Sequence, residues 1–167
     1  FIPLQQALAS GNHEIVKLLL SDLKNDNTAL DANLNNCTKD GFMPLQSALA
    51  SGNPEIVKLL LNHMNGSTFE KNLVCCNKFK YHALHQAVNN RNKTSSEIRI
   101  LLQLLVDKTF ELFGTSDGEH LLNQLIGNKD SASKFTNPSF GISHIRDIIA
   151  KTIKSSEENP RKKRKIF

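Results

Sequence analysis

The sequence has no tryptophan, a single tyrosine and two methionines in 167 residues. It holds no apolar run near the roughly 18 residues that a membrane-spanning helix needs, so none is expected. No secretory leader is expected ahead of the first helical pattern. It also lacks a glycine-rich phosphate loop and a G-x-S-x-G elbow, and with them the usual signatures of nucleotide chemistry and serine hydrolysis. Cysteine is sparse: Cys37 and the adjacent pair Cys75 and Cys76 make three. An odd number with two neighbours is no disulfide framework and suits a reducing compartment. Charge is unevenly placed. Of the net +5, five positive charges sit on Arg161, Lys162, Lys163, Arg164 and Lys165, leaving 16 basic against 16 acidic residues elsewhere. The body is neutral and the basicity belongs to the tail.

What is present is a repeat. The stretch GFMPLQSALASGNPEIVKLLL from Gly41 to Leu61 occurs almost a second time as PLQQALASGNHEIVKLLL from Pro3 to Leu20, 41 residues upstream. Each copy reads as a helical hairpin. Pro44 fits a first turn, where its missing N–H costs nothing. Leu45, Ala48 and Leu49 recur at helical spacing, and Gly52 stops the helix. Asn53 is a natural N-cap, Pro54 sits at the first helical position and Glu55 complements the dipole. Ile56, Val57, Leu59, Leu60 and Leu61 make an apolar face too wide for a lone surface helix. Neither hairpin buries that face alone, so copies must stack.

The stretch resembles the ankyrin repeat, whose usual pattern is G-x-T-P-L-H-x-A-x-x-x-G-x-x-E-I-V-x-x-L-L. The resemblance implies an all-α solenoid of about four helix-turn-helix repeats carrying short β-hairpin or loop fingers. The expected domain is 1–154, with repeats near 1–23, 37–64, 78–108 and 114–154, followed by a disordered basic tail at 155–167. The Gly-x-Thr that should precede Pro3 is missing, which suggests a piece of a longer protein. Lys24 to Asn36 reads as a polar connection, within which Leu30-Asp31-Ala32-Asn33 resembles the family's segment leading into a finger. The family period is about 33 residues, so a spacing of 41 implies a loop insertion of roughly eight. Met43, His82 and His120 stand where the family has a helix-capping threonine, and each lost cap costs about 1 kcal/mol.

Downstream the pattern weakens. Tyr81 to Val88 aligns with Phe42 to Leu49 at an offset of 39. A longer polar turn follows; Thr94, Ser95 or Ser96 caps the next helix, with Ile98, Leu101, Leu102, Leu105 and Val106 as its buried stripe. Asp117 to Ile126 matches Asp40 to Leu49 in pattern, and Ile142, Ile145, Ile148, Ile149 and Ile153 mark a last, capping helix.

In ankyrin proteins the finger tips and the inner face of the first helix bind partners. Carried onto this chain, that surface comprises Lys39, Asp40 and Phe42; Lys78, Phe79, Tyr81, Asn89 and Asn90; and Ser116, Asp117 and Glu119. Phe42, Phe79 and Tyr81 are the informative ones, since family fingers usually carry polar residues and aromatics anchor interfaces. They could equally pack between neighbouring fingers. His85 falls on the family's structural histidine, with Gln5 and Gln46 in the other copies. Cys75, Cys76, His82 and His85 are metal-capable types, but adjacent cysteines rarely share one tetrahedral ion. No catalytic residue, metal, cofactor or small-molecule substrate is expected, and neither is a membrane.

Lys162-Lys163-Arg164-Lys165 satisfies the K-K/R-x-K/R form of a nuclear localisation signal, so importin α is the expected reader of the tail, with Pro160 keeping it out of a helix. The expected function is non-enzymatic protein recognition by a monomer in the nucleus and cytoplasm of a eukaryotic cell. Richness in Asn, Lys, Ile and Leu with no Trp hints at an AT-rich genome and resembles ankyrin effectors that intracellular bacteria deliver into host cells. Two other readings stay open: an accessory region of a larger enzyme or toxin, or nucleic-acid binding by the tail.

Overall fold

The computed structural model describes residues 3–159. Among these residues ten helices follow one another: α1 Pro3–Ser10, α2 His13–Leu23, α3 Asn27–Asn35, α4 Pro44–Ser51, α5 Pro54–Leu61, α6 Gly66–Val74, α7 Ala83–Val88, α8 Ser95–Gly127, α9 Lys129–Ala132 and α10 Ile142–Glu158. Among the described residues there is no strand. The expected β-hairpin fingers are therefore loops.

The repeat unit has three helices rather than two. The segment read as a polar connection folds into α3, because Asp26 accepts hydrogen bonds from the Thr28 and Ala29 amides at 2.9 and 3.1 Å. Leu30 and Leu34, four apart, are buried by it. In the next unit Asn65 caps α6 through the Thr68 amide at 2.9 Å, and Phe69 and Leu73 take the buried places. Each such side chain withdrawn from water contributes about 1.5–3 kcal/mol, enough to hold a short helix of weak formers against its neighbours. The insertion is thus an ordered third layer.

Three rows of helices result. In the first, α1 packs on α4 and α4 on α7; in the second, α2 packs on α5 and α5 on α8. In the third, α3 meets α6 and α6 meets α8. Helix α8 belongs to two rows, since Gly114 breaks it with φ 79° and ψ 172°. A side chain there would be strained, and glycine turns the chain at little cost. Residues 95–113 precede the break and 115–127 follow it, and Phe113 just before it meets Phe69 of α6 at 6.3 Å. The core between rows is aliphatic, with Leu4, Leu8, Leu45, Leu49, Ile56, Leu60, Leu84 and Leu105 all within 1% of full burial.

Helix starts follow the sequence in part. Asn12 and Asn53 cap α2 and α5. Thr94 and Glu97 exchange backbone bonds at the start of α8, 3.3 and 2.7 Å long, which holds the Glu97 carboxyl below its ordinary range. The lost threonine at Met43 is offset from elsewhere. Asn72, fully buried on α6, accepts from the Leu45 amide at 3.1 Å and donates to the Leu34 carbonyl at 2.9 Å. One side chain joins α3, α6 and the N-terminus of α4. His120 lies inside α8 and is no cap position.

The last unit departs most. Short α9 and the loop 133–141 stand where a first-row helix would. Asn89 holds that loop, donating to the Lys134 carbonyl at 2.7 Å and accepting from the Thr136 amide at 3.0 Å. Asn137 donates to the Val88 carbonyl at 2.7 Å, and Phe140 is fully buried. Helix α10 buries Ile145, Ile148 and Ile149 and leaves Arg146, Lys151 and Lys154 exposed. It continues to Glu158, so residues 155–158 are helical rather than disordered. Residues 160–167, with Arg161, Lys162, Lys163, Arg164 and Lys165, lie outside the described residues.

Candidate recognition surface

Two fingers precede α4 and α7. In the first, the Thr38 amide donates to Phe42 at 2.9 Å and the Gly41 amide to Thr38 at 2.8 Å. In the second, the Asn77 amide donates to Tyr81 at 3.0 Å and the Lys80 amide to Asn77 at 2.9 Å. The two loops are the same turn, offset by 39 residues. Each is held by the repeat before it. Gln5 donates to the Asn36 and Phe42 carbonyls at 2.9 and 3.2 Å; Gln46 donates to Cys75 and Tyr81 at 3.1 and 2.6 Å. His85, in the same place on α7, donates from Nε2 to the Ser131 carbonyl at 2.8 Å. Its Nδ1 accepts from the His82 amide at 3.1 Å, as Gln46 accepts from Met43 at 3.2 Å. The family histidine is a structural hydrogen-bonding residue here.

The fingers touch each other. The Lys78 amide donates to the Asp40 carbonyl at 2.9 Å, and the Lys78 ammonium meets the Asp40 carboxylate at 2.8 Å with both about half exposed. Such a pair contributes at most about 1 kcal/mol. Above it runs a line of rings. Phe42 and Phe79 meet edge-on at 6.2 Å, Phe79 and Tyr81 lie 6.4 Å apart, and Tyr81 and His85 5.6 Å. The Lys78 ammonium stands 5.1 Å from the Phe79 ring centre. Phe42 and Tyr81 are half-buried, whereas Phe79 is 54% exposed. The two readings of these aromatics thus divide: Phe42 and Tyr81 pack, and Phe79 remains uncovered.

The other expected positions are less uniform. Lys39 is exposed at the first tip. Asn89 is spent on the loop 133–141, and Asn90 donates to the Leu49 carbonyl at 3.2 Å across the repeats. Ser116, Asp117 and Glu119 do not form a third finger, because they lie in the second half of α8. Gly118, which gave that stretch its finger-like pattern, is buried against Phe110; a Cβ there would come within 2.6 Å of the ring. It is a packing glycine.

Beyond Tyr81 the ring line leads to a cavity of about 580 Å³ between the second finger, α7 and the end of α8. His82 and His85 stack at 3.7 Å on one wall, with Phe135 4.4 Å from His85. His82 Nε2 lies 3.1 Å from the Leu125 carbonyl and 2.9 Å from the Ser131 hydroxyl. A carbonyl only accepts, so Nε2 carries the proton and cannot take one from Ser131. Burial first, then the neighbouring His85, pushes the His82 pKa down to about 3, partly opposed by the Leu125 bond. Burial also lowers that of His85, with the Ser131 carbonyl opposing and the Lys134 charge assisting. Cys76 is raised by burial and by Cys75, with Lys80 opposing. Both histidines thus donate from Nε2 to carbonyls, and His82 Nδ1 is buried without a hydrogen-bond partner among the described residues. Among the described residues no three His, Cys, Asp or Glu converge as a metal would require.

Sequence reasoning missed this cavity because its far wall, Gln124 to Lys134, comes from the divergent unit. A family model described as ankyrin repeats (3 copies) matches residues 4–128. No curated protein and no solved structure matches the chain.

Proposed function

Because the chain belongs to the ankyrin-repeat family, a family of protein–protein interaction modules, we propose that it binds a partner protein, without catalysis and as a monomer, through its two fingers. The observation that carries this is Phe79. A large apolar side chain held 54% exposed at a rigid tip, edge-on to Phe42 and beside Tyr81, is an anchor awaiting a partner surface. The supporting bonds from Gln5 and Gln46 fix the tips before binding, which lowers the ordering cost of association. The test is Phe79→Ala, alone and with Tyr81→Ala. Each should weaken partner binding, the pair by at least about 1 kcal/mol, while Phe79→Ala leaves thermal stability unchanged. Equal loss of folding and binding would return the ring to a packing role.

The same proposal extends to where the protein works. Lys162 to Lys165 satisfy a nuclear-import motif, and we assign importin α as their reader, in a eukaryotic nucleus. A host cell infected by an intracellular bacterium is the setting that the residue composition favours. Replacing Lys163 and Arg164 by alanine should abolish importin α binding and nuclear accumulation, with affinity for the finger partner unchanged at equal salt. Tail variants that loosen the partner as much as Phe79→Ala would instead make the tail part of the recognition surface, or point to nucleic acid.

A further inference from the structure

The cavity beside the second finger has features that hairpin packing does not need. Its walls are apolar where Val74 and Leu125 line them, and two lysines, Lys80 and Lys134, stand at its edge against one carboxylate, Asp130. Both ammonium charges are felt inside. That of Lys134 disfavours a proton on His85, and that of Lys80 favours ionisation of Cys76. Among the described residues neither lysine forms an ion pair of the kind that joins Lys78 to Asp40.

Lys80 is also held at a cost. Its φ is 64°, the one positive value at a non-glycine among the described residues, and the same place in the first finger is Gly41 at 81°. Two fingers with one turn geometry thus use glycine in one and lysine in the other. The left-handed region is unfavourable for a lysine and free for glycine. A side chain kept there against its backbone preference points to use of that side chain.

We propose that this cavity receives an acidic side chain of the partner segment that docks on Phe79, so that the chain selects partners in which a glutamate or aspartate follows an aromatic or aliphatic anchor. The inference rests on the finger-face reading above and deepens it. The geometry supplies continuity: the ring line Phe79, Tyr81, His85 ends at the cavity wall. An anchor on Phe79 places the following residues of an extended segment over the opening. The carboxylate lies between Lys80 and Lys134, its methylenes against Val74 and Leu125. His85 forms the wall beneath it, its Nε2 held by the Ser131 carbonyl. Partial shielding by the cavity walls makes the ion pairs stronger than at an open surface.

The test uses the full chain and fluorescent peptides of about ten residues, a length that spans roughly 30 Å when extended. Each peptide carries one central phenylalanine, followed at varied spacing by glutamate or by glutamine. Glutamate peptides of the right spacing should bind about fivefold tighter than their glutamine partners, the scale of one shielded pair. That preference should shrink at high salt. Lys80→Gly should abolish it while raising the melting temperature, because it relieves the backbone; a loss of preference cannot then be ascribed to unfolding. Lys134→Gln should reduce it, and Phe79→Ala should weaken both peptide classes alike. Equal binding of glutamate and glutamine peptides, or a preference that survives Lys80→Gly with Lys134→Gln, would overturn the acidic site and leave the finger-face reading standing. No difference between wild type and Phe79→Ala for any peptide would overturn both.

Discussion

Replacing Asn72 by leucine keeps approximate volume and removes every polar atom from a site where two repeats meet. The Leu45 amide, at the second position of α4, then has no acceptor, and the Leu34 carbonyl loses its donor. Both bonds are buried, with Asn72 itself fully enclosed, so water cannot replace it without opening the stack. Each orphaned group costs about 1–3 kcal/mol. The expected loss is about 2–5 kcal/mol, or about 5–15 °C in a chain of this size. Urea unfolding followed by helical circular dichroism measures the total, and hydrogen exchange at the Leu45 amide localises it. That amide should exchange much faster, and protection should fall in both α3 and α4, since one side chain joins them. A change below about 0.5 kcal/mol, or an unaltered Leu45 exchange rate, would refute the claim that α4 is capped from α6.

Leu60 is fully buried at the heart of the second row, so Leu60→Ala should cost about 2–5 kcal/mol in the same unfolding experiment. His82 makes stability depend on pH. Its folded pKa lies near 3, below the ordinary 6.5, so between those values the unfolded chain binds the extra proton. Its contribution is complete above about pH 6.5 and falls as pH drops toward 3, by about 2 kcal/mol at pH 5. His82→Gln should flatten the wild-type loss between pH 7.5 and 5 by about that amount, measured by urea unfolding at each pH.

The first and second rows were legible because the 41-residue echo repeats caps and apolar spacing together, so local and global signals agree. The third row was hidden. Helices α3 and α6 are built from Asn, Thr and Gly as much as from apolar residues, and each buries just two hydrophobic side chains four apart. The Asp26 and Asn65 caps at matching offset were the available signal, and the resemblance of Leu30-Asp31-Ala32-Asn33 to a family loop masked it. The recognition positions divide in the same way. Phe42, Phe79 and Tyr81 came from a true structural echo, whereas Ser116, Asp117 and Glu119 came from a glycine that serves packing against Phe110. The cavity beside the second finger had no sequence signal, because loop 133–141 replaces a helix and its docking partners Val88 and Asn89 are distant in the chain.

The side-chain bonds from the first-row helices to the fingers run one way along the chain. Gln5 grips the finger after it, Gln46 grips the next, and His85 grips the segment that stands in the place of a third. Trimming the first unit frees the first finger from Gln5, whereas trimming from the second finger onward leaves that grip and removes the Lys78 bonds to Asp40. Growth and loss by duplication therefore have a polarity. A change downstream leaves the Gln5 grip on the first finger in place, and a change upstream removes it.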